Sequence, residues 1–467
     1  MIRPLALLAC LFVLPTLPVQ SSEPPASASA AQPASRARQA LDAWLAAFNS
    51  GERSALEAFR QRYRADMNVD NQLEFRDGVG GFLLIRHEPD EGNTAVALVR
   101  EVESETHAQL RVTLAPDQPA RIGVRAVPTP AEFRPARLTQ QAAIDAVGAY
   151  ADASAKKDAF AGALLIAQGD QVLLQKAWGQ ADRAKNLPNT LDTRFRLGSM
   201  NKMVTAVAIL QLVQAGKVSL DGTLGDYLKT YPNADMRTIT VRQLLTHRGG
   251  AGDIFGPEFE RERTRLRTHA DYVALYGDRA PTHPPGSRRD YANYGFVLLG
   301  AIIEAVSGQS YYDYVDAHIF APAGMRDTGS LPETDAMPQR ARPYMRTQGR
   351  WVDAADTLPW RGMAAGGGYS TVGDLLRFAR ALQNGTLIDP ALLAEATRPD
   401  DSEYGYGFAA GNHDGLPWYG HGGGAPGMNT EFRVYPTLDR VVISLSNLDP
   451  PVAQRQADYY FARMPLE

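Results

Sequence analysis

Phe195-Arg-Leu-Gly-Ser-Met-Asn-Lys-Met203 runs directly into Val204-Thr-Ala-Val-Ala-Ile-Leu-Gln-Leu-Val213. The apolar spacing predicts a helix that begins near Ser199. Residues three apart share a helix face, so the Lys202 ammonium can reach the Ser199 hydroxyl. The positive end of the helix dipole favours negative charge developing at that serine. A serine hydroxyl is a weak nucleophile until a base sits beside it, and Lys202 is such a neighbour. Taken alone, the same residues also read as a serine capping an ordinary core helix. A second Ser-x-x-Lys, Ser154 to Lys157, shows how cheap the pattern is. It lies in a polar segment with no apolar helix after it, and reads as a solvated helix end or loop. Other residues must decide between the two readings of Ser199.

The 467 residues allow two or more domains with a large core in at least one. A hydrophobic content of 44% with 21% charged residues is that of a soluble globular chain. A net charge of −4 points away from a nucleic-acid partner. No lysine follows Lys229. At the N-terminus, Arg3 precedes an apolar run from Leu5 to Leu17, and small residues follow at Ser27 to Ala31. The run is too short for a membrane span and reads as an export signal, with residues 1–30 forming signal peptide and linker. The expected location is periplasmic or secreted, with no stable membrane span after cleavage. Cys10 is the only cysteine. Leu7 to Cys10 faintly resembles a lipoprotein processing site, but the apolar run continues past it. Cleavage near residues 20–31 leaves no cysteine, hence no disulfide, thiol catalysis or thiolate metal site.

Residues 36–130 read as a small α+β domain. Leu41, Trp44, Leu45 and Phe48 share one face of a helix that ends at Asn49-Ser-Gly51. Ser54-Ala-Leu-Glu57 has the form of a capping box for a second helix. Strand-like runs follow at 81–87, 94–103, 108–115 and 120–127, a meander. A proline-rich joint, Pro128 to Pro135, leads to a larger domain over 136–467. There a helix over 139–155 precedes a hairpin, 160–167 and 171–178, and two more strands come late, 430–435 and 440–446. The sheet is therefore expected to assemble from both ends of the segment, with helices between. Thr240 to His247 reads as a short helix in which His247 caps carbonyls, a structural role. Arg261, Arg263, Arg265 and Arg267 alternate in a polar stretch and read as solvated residues.

Three islands stand in order: Ser199-x-x-Lys202, Tyr291-Ala-Asn293 and Tyr419-Gly-His421-Gly-Gly-Gly424. With Leu244 to His247, Pro285-Gly286, Pro322 to Met325 and Gly366 to Gly368, they make the chain resemble the serine β-lactamase and D,D-peptidase superfamily, in its class C and related-esterase branch. The resemblance covers roughly residues 138–455. Tyr231-Pro-Asn233 is a decoy for the second island, in a polar loop. The family implies an α/β domain with a mainly antiparallel sheet flanked by helices plus an all-α region, and a site at their boundary.

By that resemblance Ser199 is the acylating nucleophile, and Lys202 and Tyr291 carry its proton, either one acting as base. Asn293 fixes Lys202 and a substrate amide. The backbone N–H groups of Ser199 and Gly424 form an oxyanion hole, and His421, Gly423 and Gly424 line the substrate. No cofactor is implied, and no paired histidines or cysteines support a metal site. The family's Lys-Thr-Gly third motif is impossible here. His421 takes its place and is largely neutral above a pKa of about 6.5. A carboxylate anchor is thereby weakened, so the expectation is an exported serine hydrolase acting on an ester, an amide or a D-amino-acid-containing peptide. The alternatives are a true class C-like β-lactamase and a non-catalytic penicillin-binding or sensor protein. The partner is a small-molecule or peptide substrate.

Overall fold

A computed structural model of the chain describes residues 35–467; the expected signal peptide, Cys10 and most of the linker lie outside the described residues. The chain first forms helices α1 (Arg36–Ser50), α2 (Arg53–Tyr63) and α3 (Val69–Val79). Strands β1 (Phe82–Glu91), β2 (Thr94–Glu101), β3 (His107–Thr113) and β4 (Arg121–Val127) follow as an antiparallel meander in that order. The predicted α1 face is buried: Leu41, Trp44, Leu45 and Phe48 join Val99, Leu110 and Val112 in one core. The Trp44 and Phe48 rings stack at 4.6 Å. Two expectations need correction. The α2 capping box does not form, because the helix starts two residues earlier, behind Glu52, which makes no side-chain cap. Helix α3 was not expected at all; only Val69 and Val79 are buried in it, too few to write a helical period into the sequence.

After α4 (Gln140–Lys156) come β5 (Gly162–Gln168) and β6 (Gln171–Trp178). Helices α5 (Asn201–Gln214), α6 (Asn293–Ser307) and α7 (Val372–Gln383) occupy the middle of the chain. Strands β7 (Ala409–His413), β8 (Leu416–Ala425), β9 (Met428–Tyr435) and β10 (Arg440–Ser446), then α8 (Val452–Phe461), complete it. The six long strands form one antiparallel sheet in the order β7-β8-β9-β10-β5-β6. Strand β10 pairs with β5 from Arg440↔Gln168 to Ser446↔Gly162, so the two ends of the segment do build the sheet together. One face packs against α4 and α8 through Val147, Leu164, Val442 and Tyr460. The other packs against the helical layer through Leu165, Ile443, Phe432 and the residues of α5. Helix α5 is buried on nearly all sides, from Asn201 to Leu210, which is why its apolar residues show no single stripe.

Of the two decoys, Ser154 falls where its surroundings predict, whereas Tyr231, expected in a polar loop, is buried. Ser154 lies in the last turn of α4 and donates to the Tyr150 carbonyl at 2.9 Å. Tyr231 is a core residue bonded to the Tyr294 hydroxyl at 3.0 Å, and Asn233 accepts the Met236 N–H. Arg263 and Arg265 are tied to Leu358 and Glu262, and Arg267 lies over Trp360.

Candidate active site

The tight turn that precedes α5 sets the site. Gly198 adopts φ +56°, a left-handed conformation that side chains disfavour, and a Cβ there would stand 3.1 Å from the Gly424 nitrogen. The turn Gly198–Met200 then continues into α5, so Ser199 sits at the N-terminal end of a helix, against strand β8. Gly423 is forced by the same approach: a Cβ would lie 2.0 Å from the Leu197 carbonyl oxygen. Thr430 on β9 locks the contact by donating to that oxygen at 2.9 Å. Strand β7 pairs only with Leu416–Gly420, so His421–Ala425 extend beyond it along the β8 edge. Counted from the two-residue turn between Ala425 and Met428, antiparallel alternation aims the Gly424 N–H away from β9, on the side where Gly198 approaches.

Lys202 is fully buried one turn below Ser199. Its Nζ lies 3.1 Å from Ser199 Oγ, 2.8 Å from Asn293 Oδ1 and 2.5 Å from the Ala365 carbonyl oxygen. Burial lowers its pKa to about 7, with Asp253 pulling the other way. The neighbours serve either protonation state, three acceptors for an ammonium or two acceptors and a hydroxyl donor for the neutral amine. Two of the three are carbonyl-type oxygens that can only accept, which uses both N–H bonds of an uncharged –NH2. The remaining lone pair then faces the Ser199 hydroxyl. Asn293 is itself oriented by Asp253, whose carboxylate accepts from Asn293 Nδ2 at 2.9 Å, leaving the amide oxygen for Lys202. The Ala365 carbonyl comes from the loop before Gly366-Gly-Gly368. That loop is anchored by Asn201, donating to the Met363 carbonyl at 2.8 Å, and by Gly367, donating to the Gly198 carbonyl at 3.1 Å.

Lys202 Nζ lies 4.8 Å from the centre of the Tyr291 ring, which stays 38% exposed. Desolvation raises its phenol to about 12, and a hydrogen bond with Ser199 offsets part of the rise. Its neighbour across the ring is His247, with centroids 4.2 Å apart. Here the expectation for His247 is corrected. The ring caps no helix carbonyl; its Nδ1 accepts the Ala292 N–H at 3.1 Å, and its Nε2 lies 3.2 Å from the Tyr404 hydroxyl. Tyr404 continues to His421 Nε2 at 2.9 Å, and His421 Nδ1 meets the Gly422 carbonyl oxygen at 2.5 Å. Burial, then the Lys202 charge, lower the His421 pKa to about 3, so the ring is neutral. Arg361 is held by the Ser330 carbonyl and lies against the Tyr312 ring.

The structure thus brings together Ser199, Lys202, Tyr291, Asn293, His421, Gly423 and Gly424. Asp253, Tyr404 and the Ala365 carbonyl escaped the sequence reading. Each enters from a loop as a single residue, and no spacing in the sequence marks it. Among the described residues no cluster of histidine, cysteine, aspartate or glutamate could hold a metal ion. Nor is any described helix long and apolar enough to cross a membrane.

A family model described as Beta-lactamase matches residues 145–464. Penicillin-binding protein 4 of Amycolatopsis lactamdurans is 30% identical over 309 residues, covering 61% of this chain and 80% of the relative. Esterase EstB of Burkholderia gladioli is 29% identical over 275 residues, 52% of this chain and 70% of the relative. Among solved structures, a D-stereospecific amidohydrolase from Streptomyces sp. superposes with a TM-score of 0.58 at 28% identity, covering 68% of this chain and 98% of that one.

Proposed function

The chain belongs to the Beta-lactamase family, and we propose that it is an exported serine hydrolase that forms an acyl-enzyme on Ser199. The observation that carries this reading is the hydrogen-bond set of Lys202: two fixed acceptors and the Ser199 hydroxyl. Ser199 Oγ attacks the substrate carbonyl carbon and its proton passes to Lys202 Nζ. The backbone N–H groups of Ser199 and Gly424 receive the developing oxyanion, a donor pair whose members are each worth about 10²–10³ in rate. Collapse breaks the bond to the leaving group, which takes the proton from Lys202 through the Tyr291 hydroxyl. Tyr291 is the relay and Lys202 the base, because a phenol at about 12 stays protonated at neutral pH while an amine at about 7 is half deprotonated there. Water then attacks the acyl carbon by the reverse proton route and frees Ser199.

The substrate class follows from His421. A neutral imidazole offers no cation to a substrate carboxylate, which favours esters, amides and D-amino-acid-containing peptides over penicillins. Two of the three named relatives, an esterase and a D-stereospecific amidohydrolase, have names within that class; the third is a penicillin-binding protein. The machinery sits wholly in residues 136–467, with 36–130 as a separate non-catalytic domain. A fluorophosphonate probe is expected to label Ser199, located by peptide mass spectrometry, and Ser199→Ala to abolish labelling. Undiminished labelling of the alanine variant overturns the proposal. Efficient turnover of a chromogenic cephalosporin replaces the esterase or amidase reading with a β-lactamase.

A further inference from the structure

The hydrogen bonds that run from Ala292 to Gly422 have only one consistent direction. The Ala292 backbone N–H can only donate, so His247 Nδ1 is its acceptor and the His247 proton is on Nε2. That N–H points at the Tyr404 oxygen, 3.2 Å away. Tyr404 then has its single proton for His421 Nε2 at 2.9 Å. With Nε2 accepting, the His421 proton is on Nδ1, and the Gly422 carbonyl at 2.5 Å is its acceptor. Both chain ends are backbone groups, a fixed donor and a fixed acceptor, so the direction cannot reverse. Protonating His421 on Nε2 would set two donors against each other at Tyr404, or strip His247 of its last proton.

We propose that His247 and Tyr404 are positioning residues that fix His421 as the neutral Nδ1–H tautomer and so close the third motif to substrate carboxylates. The proposal rests on the reading of Ser199 as the acylating residue only for its kinetic consequence, not for the tautomer itself. His247, His421 and Tyr404 are all buried, so no bulk water competes for these bonds. The charged and titratable groups facing His421 agree with it. Lys202 of α5 and Arg289 of the loop before Tyr291 both disfavour an imidazolium. Arg289 lies over the Tyr404 ring at 4.6 Å, and Tyr291 packs on His247. Across the ladder, Gly422 faces Glu431, but that carboxylate is bonded to Arg433 at 2.7 Å. The chain also explains how a histidine can replace a lysine here without a new counter-ion: nothing charged is presented.

The test uses the whole protein labelled with 15N-histidine. Long-range proton–nitrogen spectra are expected to show His421 as Nδ1–H, without titration from pH 5 to 8. A His421 that titrates near pH 6.5, or carries its proton on Nε2, overturns the proposal whatever the enzyme's activity. Tyr404→Phe keeps the ring and removes only the hydroxyl. In that variant Nε2 loses its donor, so His421 is expected to show the Nε2–H tautomer beside Nδ1–H, while burial still keeps the ring neutral. The ratio of kcat/KM for a carboxylate-bearing ester to that for its uncharged isostere should then exceed the wild-type ratio about two- to tenfold, the worth of one neutral hydrogen bond. Through His421, neither ratio should change between pH 5.5 and 7.5. Fluorophosphonate labelling of Ser199 in the variant checks that it folds and that the nucleophile is competent. A labelled variant whose ratio equals that of the wild type overturns the kinetic half of the proposal.

Discussion

Lys202 and His421 are both buried nitrogen bases close to Ser199, and both have lowered pKa values, about 7 and about 3. Desolvation is the leading cause at each, yet the two nitrogens are in opposite states of use. Lys202 has carbonyl oxygens on two sides and a hydroxyl on the third, so its lone pair is free to take a proton. His421 spends its lone pair on Tyr404 and its proton on Gly422. Burial makes a base of either group. The hydrogen-bond partners decide whether that base is available to a substrate.

Replacing Lys202 breaks the available side of the comparison. Lys202→Met keeps much of the volume and removes the lone pair, so acylation of Ser199 is expected to slow about 10²–10⁴-fold, measured as kcat/KM on an activated ester. The same variant reports the cost of holding the amine neutral. The folded-state pKa, about 7, lies below the ordinary lysine value. Between the two, the unfolded chain carries a proton that the folded chain lacks. Wild-type stability relative to Lys202→Met should therefore be constant below pH 7 and rise above it by about 1.4 kcal/mol per pH unit, until the unfolded lysine also loses its proton. Urea unfolding of both proteins at pH 6, 7, 8 and 9 checks this. The unpaired oxygens left in the variant shift the gap by a constant and do not change its slope.

The smallest expected effect sharpens the comparison. Asp253 raises the Lys202 pKa while orienting Asn293. Asp253→Asn preserves the size of the side chain and removes the charge, so the acid limb of the rate profile is expected to move to lower pH. A limb that moves upward contradicts the assigned electrostatics.

Much of this was legible in the sequence because it is carried by short motifs and strong periodicities. The Ser199 turn, the Tyr291 loop and the β8 glycines are each local patterns. Strands β5 and β10 are dense apolar runs, and β6 and β9 mixed ones, all bounded by turns, so the joining of the two chain ends in one sheet followed. Helix α3 was missed because it buries only its ends. The local pattern gives His247 a structural role, since a histidine shortly before two glycines ordinarily serves the helix that it ends. Its actual partners, Ala292 and Tyr404, are 45 and 157 residues away. Asp253 and Ala365 likewise act on Asn293 and Lys202 across loops, through one atom each. Such contacts are products of the fold and leave no spacing to read.

The pH dependence of Ser199 acylation tests the central claim most directly. The second-order rate of labelling by an uncharged fluorophosphonate should rise with unit slope and level off above an apparent pKa near 7, as Lys202 loses its proton. A rate that is flat from pH 5 to 9, or a limb that survives unchanged in Lys202→Met, would show that Lys202 is not the base.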